Sequence, residues 1–479
     1  MARKLKAGVP RIAPTPAEAG ESIGVGPAVV LLGLVLVALL AVRPASALAR
    51  AGSLDHTFGS HGLVVSSVGT AGAGANAEAE VGADGSVFVA NASPEGTRIG
   101  RLRPNGSIAK GFGRDGFLSL GRSTANEGFN GREFFPISFA LDRYGRVVVF
   151  GEQTFLGQPV EVPATPSTAY TSEALVARFT RSGRPDKSFG SGKGFVRDSF
   201  GLVSPLSAES RLVAAMAGTV DSENRPILIA GVWSEIGSCH GKGGVGNTAA
   251  AVVRLTESGA IDPTYGSNGI SPIAGSNYLS KIWINDQDQV AVGVGPRAKC
   301  SQEEAVIRLG ESGERLSGFG SEGVLPLARD HLLALEASGG MIVGHKQASR
   351  LELSRLSPQG LRDPSFGNGG ITTVRVPGGA ASQISSLLVD SRGRVLVSGY
   401  RNSAVRDGRK AALIVGRLGV DGKPDRSFGR KGWTLTEMTR PRTVTSAQAA
   451  FDGRGHVVVA ATTGLEDSTG RFVVARYSL

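Results

Sequence analysis

The sequence has few of the residues on which disulfide scaffolds and reactive metal sites depend. Its 479 residues include two cysteines, six histidines and three tryptophans. So few cysteines exclude a disulfide-rich scaffold and any cysteine-rich zinc or iron–sulfur site. The HExxH, CxxC and DxDxDG motifs are missing, and so is GxSxG at a strand-to-helix elbow. We therefore expect no metal, no cofactor and no catalytic residue that the sequence alone identifies.

Aromatic residues are also scarce, at 6%, whereas glycine is abundant at 69 residues. That glycine content is roughly twice the usual share. Glycine at this level without a G-X-Y period indicates many tight turns between short strands rather than long helices. The hydrophobic fraction of 41% excludes an intrinsically disordered chain.

The longest uncharged apolar run lies near the N-terminus and predicts export. Residues 23–42 carry no charge, basic residues precede them, and Ala45, Ala47 and Ala49 fit the small-x-small rule of signal cleavage. A run of this length is also long enough to cross a bilayer. Residues 1–49 are therefore either a cleaved signal peptide or an uncleaved membrane anchor. Both alternatives place residues 50–479 outside the cytoplasm, secreted or at the cell surface.

The net charge of +11 raises the question of an anionic partner. Removal of residues 1–49 takes away five basic and two acidic groups, which lowers the charge to +8. A basic surface attracts anionic polymers over long range. The basic residues form no run and no stripe interleaved with aromatics, so we interpret them as a solvated surface. Together with export, this pattern argues against nucleic acid as a partner.

One short element recurs seven times along residues 50–479. It consists of an aromatic residue and a glycine, followed by a second glycine after two residues, or after three in the copy at Phe189. The aromatic positions are Phe58, Phe112, Phe189, Tyr265, Phe319, Phe366 and Phe428. Successive copies lie 47 to 77 positions apart. A mean spacing of about 60 residues is typical of one propeller blade.

Two further features repeat in step with this element. A strand that ends in arginine and an apolar or aromatic residue precedes every copy after the first, and one such strand ends the chain. The arginines are Arg101, Arg178, Arg254, Arg308, Arg355, Arg417 and Arg476. Before each comes a polar turn and a β-branched run, as in LDRYGRVVVFG, which predicts a hairpin. Each repeat therefore contains four short antiparallel strands.

The two ends of the repeat region are complementary. The segment around Phe58 supplies a lone last strand, whereas the C-terminal residues supply three strands without a fourth. We predict that the N-terminal strand pairs into the last blade and removes both exposed sheet edges. Residues 50–479 are thus predicted to form one all-β, seven-bladed β-propeller of four-stranded antiparallel blades, and we expect a monomer.

The repeat consensus, roughly Arg-Leu-x-x-x-Gly-x-x-Asp-x-Ser-Phe-Gly-x-x-Gly, resembles the delta-60 repeat family of bacterial β-propeller proteins. The resemblance covers essentially residues 54–479. It implies a propeller fold and an exported or surface setting, and it implies no established activity. The acidic position is filled by Asp55, Asp186, Asp262, Asp363 and Asp425. Ala109 and Leu316 depart from it, so we expect looser turns in those two blades.

The repeated residues have a structural and a functional interpretation. Each aspartate precedes a serine or threonine by two positions, so its carboxylate can accept N–H bonds and hold a tight turn. The alternative is five carboxylates gathered for metal or acid–base work, but equivalent positions in different blades lie around a ring. For the arginines, a charge-assisted bond to a neighbouring turn is favoured over an anion-binding ring. We interpret the aromatics as wedges between blades.

The two cysteines occupy matching positions of consecutive repeats. Cys239 and Cys300 each lie between the second and third strands of their blades. Equivalent loops of adjacent blades emerge side by side, and export places them in an oxidising compartment. The alternatives are a disulfide between Cys239 and Cys300, which we slightly favour, and two free thiols too far apart to pair.

Sequence variation is concentrated in connections that the propeller topology places on one face. These segments are 121–136, 152–173, 234–248, 401–410 and 462–471. Variable loops on a rigid scaffold commonly carry binding. The aromatics there or nearby are Phe129, Phe134, Phe135, Phe155, Tyr170 and Trp233. They either stack against a ligand or, as we favour, pack the loops onto the core.

Three classes of function fit an exported propeller. The first is a non-catalytic binding or scaffold module for a protein or a cell-envelope polymer. The second is a polysaccharide hydrolase or lyase, which would need acidic residues that converge in the central funnel. The third, a quinone-dependent dehydrogenase, is disfavoured by the few tryptophans and the missing calcium loop. We predict the first, keep the second as the alternative, and expect membrane contact only through residues 1–49.

Overall fold

The computed structural model divides the chain into two compact units, residues 1–49 and 50–479. The described residues are 50–66, 77–93, 96–121, 133–160, 167–202, 212–236, 244–273, 279–295, 304–327, 331–402, 410–438, 443–464 and 471–479. The apolar run 23–42 and the predicted cleavage positions lie outside them. Within the described residues, no helix is long and apolar enough to cross a membrane.

Residues 50–479 form seven four-stranded antiparallel blades, so the predicted propeller fold is confirmed. The first strand, β1 Leu63–Ser66, belongs to the last blade. Blade 1 contains β2 Ala77–Val81, β3 Val87–Ser93, β4 Gly96–Leu102 and β5 Phe117–Gly121. Blade 2 contains β6 Glu133–Leu141, β7 Val147–Val160, β8 Ser167–Phe179 and β9 Phe195–Asp198. Blade 3 contains β10 Leu212–Val220, β11 Pro226–Ile236, β12 Gly244–Arg254 and β13 Ile270–Ile273.

The remaining blades repeat the same order. Blade 4 contains β14 Leu279–Ile284, β15 Val290–Val294, β16 Glu304–Leu309 and β17 Val324–Leu327. Blade 5 contains β18 His331–Leu335, β19 Met341–Gln347, β20 Arg350–Leu356 and β21 Ile371–Arg375. Blade 6 contains β22 Ser382–Val389, β23 Val395–Arg401, β24 Ala411–Leu418 and β25 Trp433–Met438, after a 3-10 turn at Gly379–Ala381. Blade 7 contains β26 Thr443–Phe451, β27 His456–Gly464, β28 Arg471–Ser478 and β1.

The N-terminal strand closes the ring. β1 pairs antiparallel with β28, and Leu63 lies opposite Ala475. Ahead of β1, the Arg476 guanidinium donates to the Asp55 carboxylate at 2.7 Å, and Phe58 is fully buried. Blade 7 is therefore built from both ends of the repeat region, as the complementary fragments predict.

The middle strands are apolar on both faces because each blade packs between two neighbours. Val147 and Val149 of β7 lie in a cluster with residues of blade 1. Val148 and Phe150 of the same strand lie in a cluster with residues of blade 3. All four side chains are buried, which explains why these strands read as unbroken hydrophobic runs.

Blades 2 and 3 carry the longest hairpins in the described part of the ring. β7 and β8 stay paired as far as Val160 and Ser167, and β11 and β12 as far as Ile236 and Gly244. The prediction that segments 152–173 and 234–248 are loops is wrong for most of their described residues. Strand pairing continues beyond the body of the blade and satisfies backbone groups that a loop would expose. A parallel bridge between Leu212 and Ser172 also joins the two blades.

Candidate functional site

The turns after the first and third strands of each blade form one face of the ring, called the motif face here. In blade 2, the Ser188 N–H and hydroxyl donate to one oxygen of Asp186 at 3.0 and 2.7 Å. The Arg178 Nε donates to the other oxygen at 2.7 Å. Burial raises the pKa of Asp186, but these donors outweigh it and hold the pKa below its ordinary value.

Three other blades repeat this arrangement with the same atoms. The pairs are Arg254 with Asp262, Arg417 with Asp425 and Arg476 with Asp55. In each, the residue two positions after the aspartate donates its N–H and hydroxyl to the free carboxylate oxygen. These carboxylates thus lie apart around the ring, and each accepts hydrogen bonds within its own turn.

The repeated arginines and glycines also join each blade to the next. Arg178 donates a second N–H to the Glu257 carbonyl of blade 3, and Arg254 donates to the Glu311 carbonyl of blade 4. The glycine after each aromatic residue donates its backbone N–H to a carbonyl of the following blade, at 2.6–3.0 Å. These glycines are Gly59, Gly113, Gly190, Gly266, Gly320, Gly367 and Gly429. Gly190 has φ +62°, and a Cβ there would collide with the Phe195 carbonyl.

The aromatic residues lie beneath these arginines and against the next blade. The guanidinium carbon of Arg178 is 4.7 Å from the centre of the Phe189 ring. A Cβ on Gly259, in the following blade, would lie 2.9 Å from that ring. The same stacking joins Arg254 to Tyr265, Arg308 to Phe319, Arg355 to Phe366, Arg417 to Phe428 and Arg476 to Phe58. Phe112 instead packs edge-on against Phe88.

Three blades depart from the pattern. In blade 5, Arg355 pairs with Glu336 at 2.8 Å, whereas Asp363 lies 3.8 Å away. In blade 4, where Leu316 replaces the aspartate, the Arg308 guanidinium has two hydrogen-bond acceptors among the described residues, the Gln289 side-chain oxygen and the Gly339 carbonyl. In blade 1, where Ala109 replaces the aspartate, Arg101 pairs with Asp84 at 2.7 Å.

The expectation of looser turns in blades 1 and 4 is wrong for the backbone. The Ala109 N–H donates to the Arg101 carbonyl at 2.9 Å, as the Asp186 N–H donates to the Arg178 carbonyl at 2.9 Å. The Leu316 N–H makes the matching bond to Arg308 at 3.1 Å. Positive-φ glycines and backbone bonds fix these turns even where the carboxylate is missing.

The innermost strands β2, β6, β10, β14, β18, β22 and β26 surround a central channel of about 770 Å³. Most of the side chains that line it are apolar, including Met216, Trp283 and Leu388. Glu78 and Glu80 of blade 1 and Lys281 of blade 4 are its ionisable groups within the described part of the chain. The channel is thus the one place where the described structure brings unlike charges together from distant blades.

Glu78 and Glu80 point to the same side of β2 because alternate residues of a strand share a face. The Glu78 carboxylate accepts the Phe139 N–H of the neighbouring inner strand at 3.1 Å. Glu80 has no hydrogen-bond or ion-pair partner among the described residues. Burial raises the pKa of Glu80 to about 7. Burial likewise raises the pKa of Glu78 to about 7, and the nearby charge of Glu80 adds to that shift.

Lys281 lies at the same height in the channel as Glu78. Each stands three positions before the last residue of its strand. Burial lowers the pKa of Lys281, whereas the charge of Glu78 raises it. Two other residues at this height bond neighbouring strands: Ser138 accepts the Gly218 N–H, and Gln448 donates to the Ser385 carbonyl. A polar layer therefore crosses an otherwise apolar channel.

Sequence reasoning missed these channel residues. Their signal is visible in the strand AEAEV, where two acids alternate with small apolar residues. The other innermost strands carry apolar or neutral residues at those positions, apart from Lys281. The acids of β2 could have been marked as unusual, but their meeting with Lys281 depends on the closed ring.

The predicted aromatic binding face is described only in part. Phe134 and Phe135 lie in β6, Phe155 in β7, Tyr170 in β8 and Trp233 in β11. Their side chains and all of Phe129 lie outside the described part of the structure. The same is true of Cys239 and Cys300, so their pairing stays a prediction. Among the described residues, no three metal-ligating side chains lie close enough to hold a metal ion.

No protein-family model matches the chain, and no curated protein matches it. A protein of unknown function from Dyadobacter fermentans is 10% identical over 74% of this chain and 96% of its own, with a TM-score of 0.40. Prolyl oligopeptidase B from Galerina marginata is 9% identical over 90% of this chain and 52% of its own, with a TM-score of 0.42. The GH74 xyloglucanase from Xanthomonas campestris is 12% identical over 85% and 54%, with a TM-score of 0.40. The chain spans about half the length of these two enzymes.

Proposed function

We propose that the protein is an exported, non-catalytic β-propeller of the delta-60 repeat type that binds a protein or a cell-envelope polymer at its central channel. The observation that carries the proposal is the Glu80 carboxyl in the channel, which has no hydrogen-bond or ion-pair partner in the described part of the chain. The repeated aspartates and arginines bond their own turns, so few of them are left for a ligand. Among the described residues, the side chains of Glu80 and Lys281 make no hydrogen bond or ion pair, so both are available to a ligand in the channel.

Export and family membership are parts of the same proposal. Export is supported by the uncharged run 23–42 with its flanking charges and small residues. Family membership is supported by the consensus that recurs around the ring. Surface exposure outside the cell would place the channel within reach of envelope polymers and of proteins on neighbouring structures.

The test is retention of the full chain on envelope polysaccharide and on surface-protein fractions of its own cells, across a salt series. We expect saturable retention that survives about 0.5 M salt, where screening limits the attraction between exposed charges to a few ångströms. Glu80→Gln should lower retention about tenfold, because it removes the free carboxylate while keeping its shape. Glu322→Gln, an exposed change of the same charge on the motif face, should leave retention unchanged. Retention that disappears with salt, or that ignores Glu80→Gln, would contradict the proposal.

One observation favours the alternative, a polysaccharide hydrolase or lyase. Two carboxyls with pKa values near 7 are suited to general acid–base chemistry at neutral pH. Their placement argues against it, since residues two apart on one strand stand side by side, about 7 Å apart at Cα. Glycosidases place their two carboxyls on opposite sides of the bond that is cleaved. Release of reducing ends or unsaturated products from envelope polysaccharide, abolished by Glu80→Gln, would establish the enzyme instead.

A further inference from the structure

We propose that the motif face of blade 1 contains a second binding site, separate from the channel, that takes a carboxylate group of a ligand. The site lies where blades 2, 3, 6 and 7 place their own aspartate. In blade 1 that position is Ala109. A pocket of about 320 Å³ remains there, lined among others by Arg101, Arg103, Gly111 and Arg181.

Two hydrogen-bond donors beside the pocket stand where other blades bind their own carboxylate. In blade 2, the Asp186 carboxylate takes the Arg178 Nε–H and the Ser188 N–H. The matching groups in blade 1 are the Nε–H of Arg101 and the N–H of Gly111. The Arg101 Nε is buried without a partner, and within the described residues the Gly111 N–H makes no hydrogen bond. Leaving the buried Arg101 Nε–H without an acceptor is unfavourable, so an arriving carboxylate restores that bond, and it can also accept the N–H of the exposed Gly111.

The charge around the pocket also favours an anionic ligand. Three arginines, Arg101, Arg103 and Arg181, face one acid, Asp84. Asp84 bridges Arg101 at 2.7 Å and Arg181 at 3.0 Å, while Arg103 has no ion pair among the described residues. Two positive charges therefore remain unbalanced at a partly enclosed surface, which favours an anionic ligand.

Blade 4 shows that loss of the aspartate alone does not make such a site. Leu316 fills the equivalent position and packs with a hydrophobic cluster. The Arg308 Nε is again without a partner, but the Gln289 oxygen and the Gly339 carbonyl take the other guanidinium donors. The small Ala109 side chain is what leaves room in blade 1.

The ligand group is a carboxylate because the vacant donors match the two oxygens that an aspartate presents. An aspartate side chain fills this position in five of the other six blades, so an acidic peptide is the source that the geometry favours. A uronic acid carries the same group, and inorganic phosphate is the competing anion.

The experiment measures binding of N-acetyl-aspartyl amide to the full chain by calorimetric titration at constant ionic strength. Galacturonate and inorganic phosphate are titrated in parallel. We expect saturable binding of the aspartyl probe that falls at least tenfold in Ala109→Asp, because the chain then supplies its own carboxylate. Leu316→Asp changes the charge equally and should bind within about twofold of the wild type.

A second variant tests the site independently in case Ala109→Asp does not fold. Arg103 is exposed, and its side chain makes no hydrogen bond or ion pair with the described residues, so Arg103→Gln should weaken binding several-fold while the urea midpoint stays unchanged. Wild-type affinity in both Ala109→Asp and Arg103→Gln would overturn the site. Tighter binding of phosphate than of either carboxylate would overturn the carboxylate assignment, and tighter binding of galacturonate would overturn the peptide source.

Discussion

The carboxylates of the motif face and those of the channel are the same chemical group in opposite situations. On the motif face, N–H, hydroxyl and guanidinium donors surround Asp186 and lower its pKa. In the channel, Glu80 has no donor among the described residues, and burial raises its pKa to about 7. The number of hydrogen-bond donors, rather than burial alone, therefore decides whether the pKa of a carboxylate in this fold is lowered or raised.

The largest loss of stability should follow from removing a carboxylate that forms an ion pair with a buried guanidinium. Arg178 is 1% exposed, and Asp186 is its ionised partner. Asp186→Ala should lower the free energy of unfolding by about 3–5 kcal/mol, because an uncompensated charge stays buried. Urea unfolding of the full chain at neutral pH measures the loss.

Blade 5 supplies the matched control for that variant. Glu336 is the close partner of Arg355 there, so Asp363→Ala should cost less than about 1 kcal/mol. Equal losses in Asp186→Ala and Asp363→Ala would show that the turn, and not the ion pair, is what each aspartate supports.

The two kinds of carboxylate should also respond to pH in opposite directions. A pKa below the ordinary 3.8, as for Asp186, gives stability that is present above that value and is lost as pH falls further. A pKa raised from 4.5 to about 7, as for Glu80, gives stability that is full at or below pH 4.5 and is lost as pH rises through 7. Glu80→Gln should remove about 1–3 kcal/mol of the decline between pH 4.5 and 8.

Urea midpoints of the wild type and Glu80→Gln, measured in half-unit steps of pH, test this prediction. Parallel curves for the two proteins above pH 4.5 would show that Glu80 titrates as it does in the unfolded chain.

The smallest effect should come from giving blade 4 the carboxylate that it lacks. Leu316→Asp would place an acceptor near the unpartnered Nε of Arg308. We expect a gain of about 0.5–1.5 kcal/mol at pH 7, lost again below pH 4. Thermal unfolding at the two pH values measures both. A loss of stability at pH 7 would mean that the packing of Leu316 outweighs the new bond.

The blade count, the ring closure and the motif positions could be predicted from the sequence because each is repeated and mostly local. Arg178 and Asp186 are eight residues apart, and the same spacing recurs in other blades. The channel could not be predicted in this way, because Glu78 of blade 1 and Lys281 of blade 4 face the same channel only once the ring is closed. The pairing of Arg355 with Glu336 could not be predicted either, since this acid comes from the turn between the first two strands and not, as in blades 2, 3, 6 and 7, from the turn after the third.

The pairing of β1 with β28 also sets the order in which the molecule can assemble. Leu63 and Ala475 are 412 positions apart, so their ladder forms only after almost the whole chain is available. Contacts of such long sequence separation slow folding, because the loop-closure entropy must be overcome first. Blades 1 to 6 each contain their own four strands and can form as the chain emerges. Once they have stacked, the two ends are held close together, and the seventh blade can close as the final step.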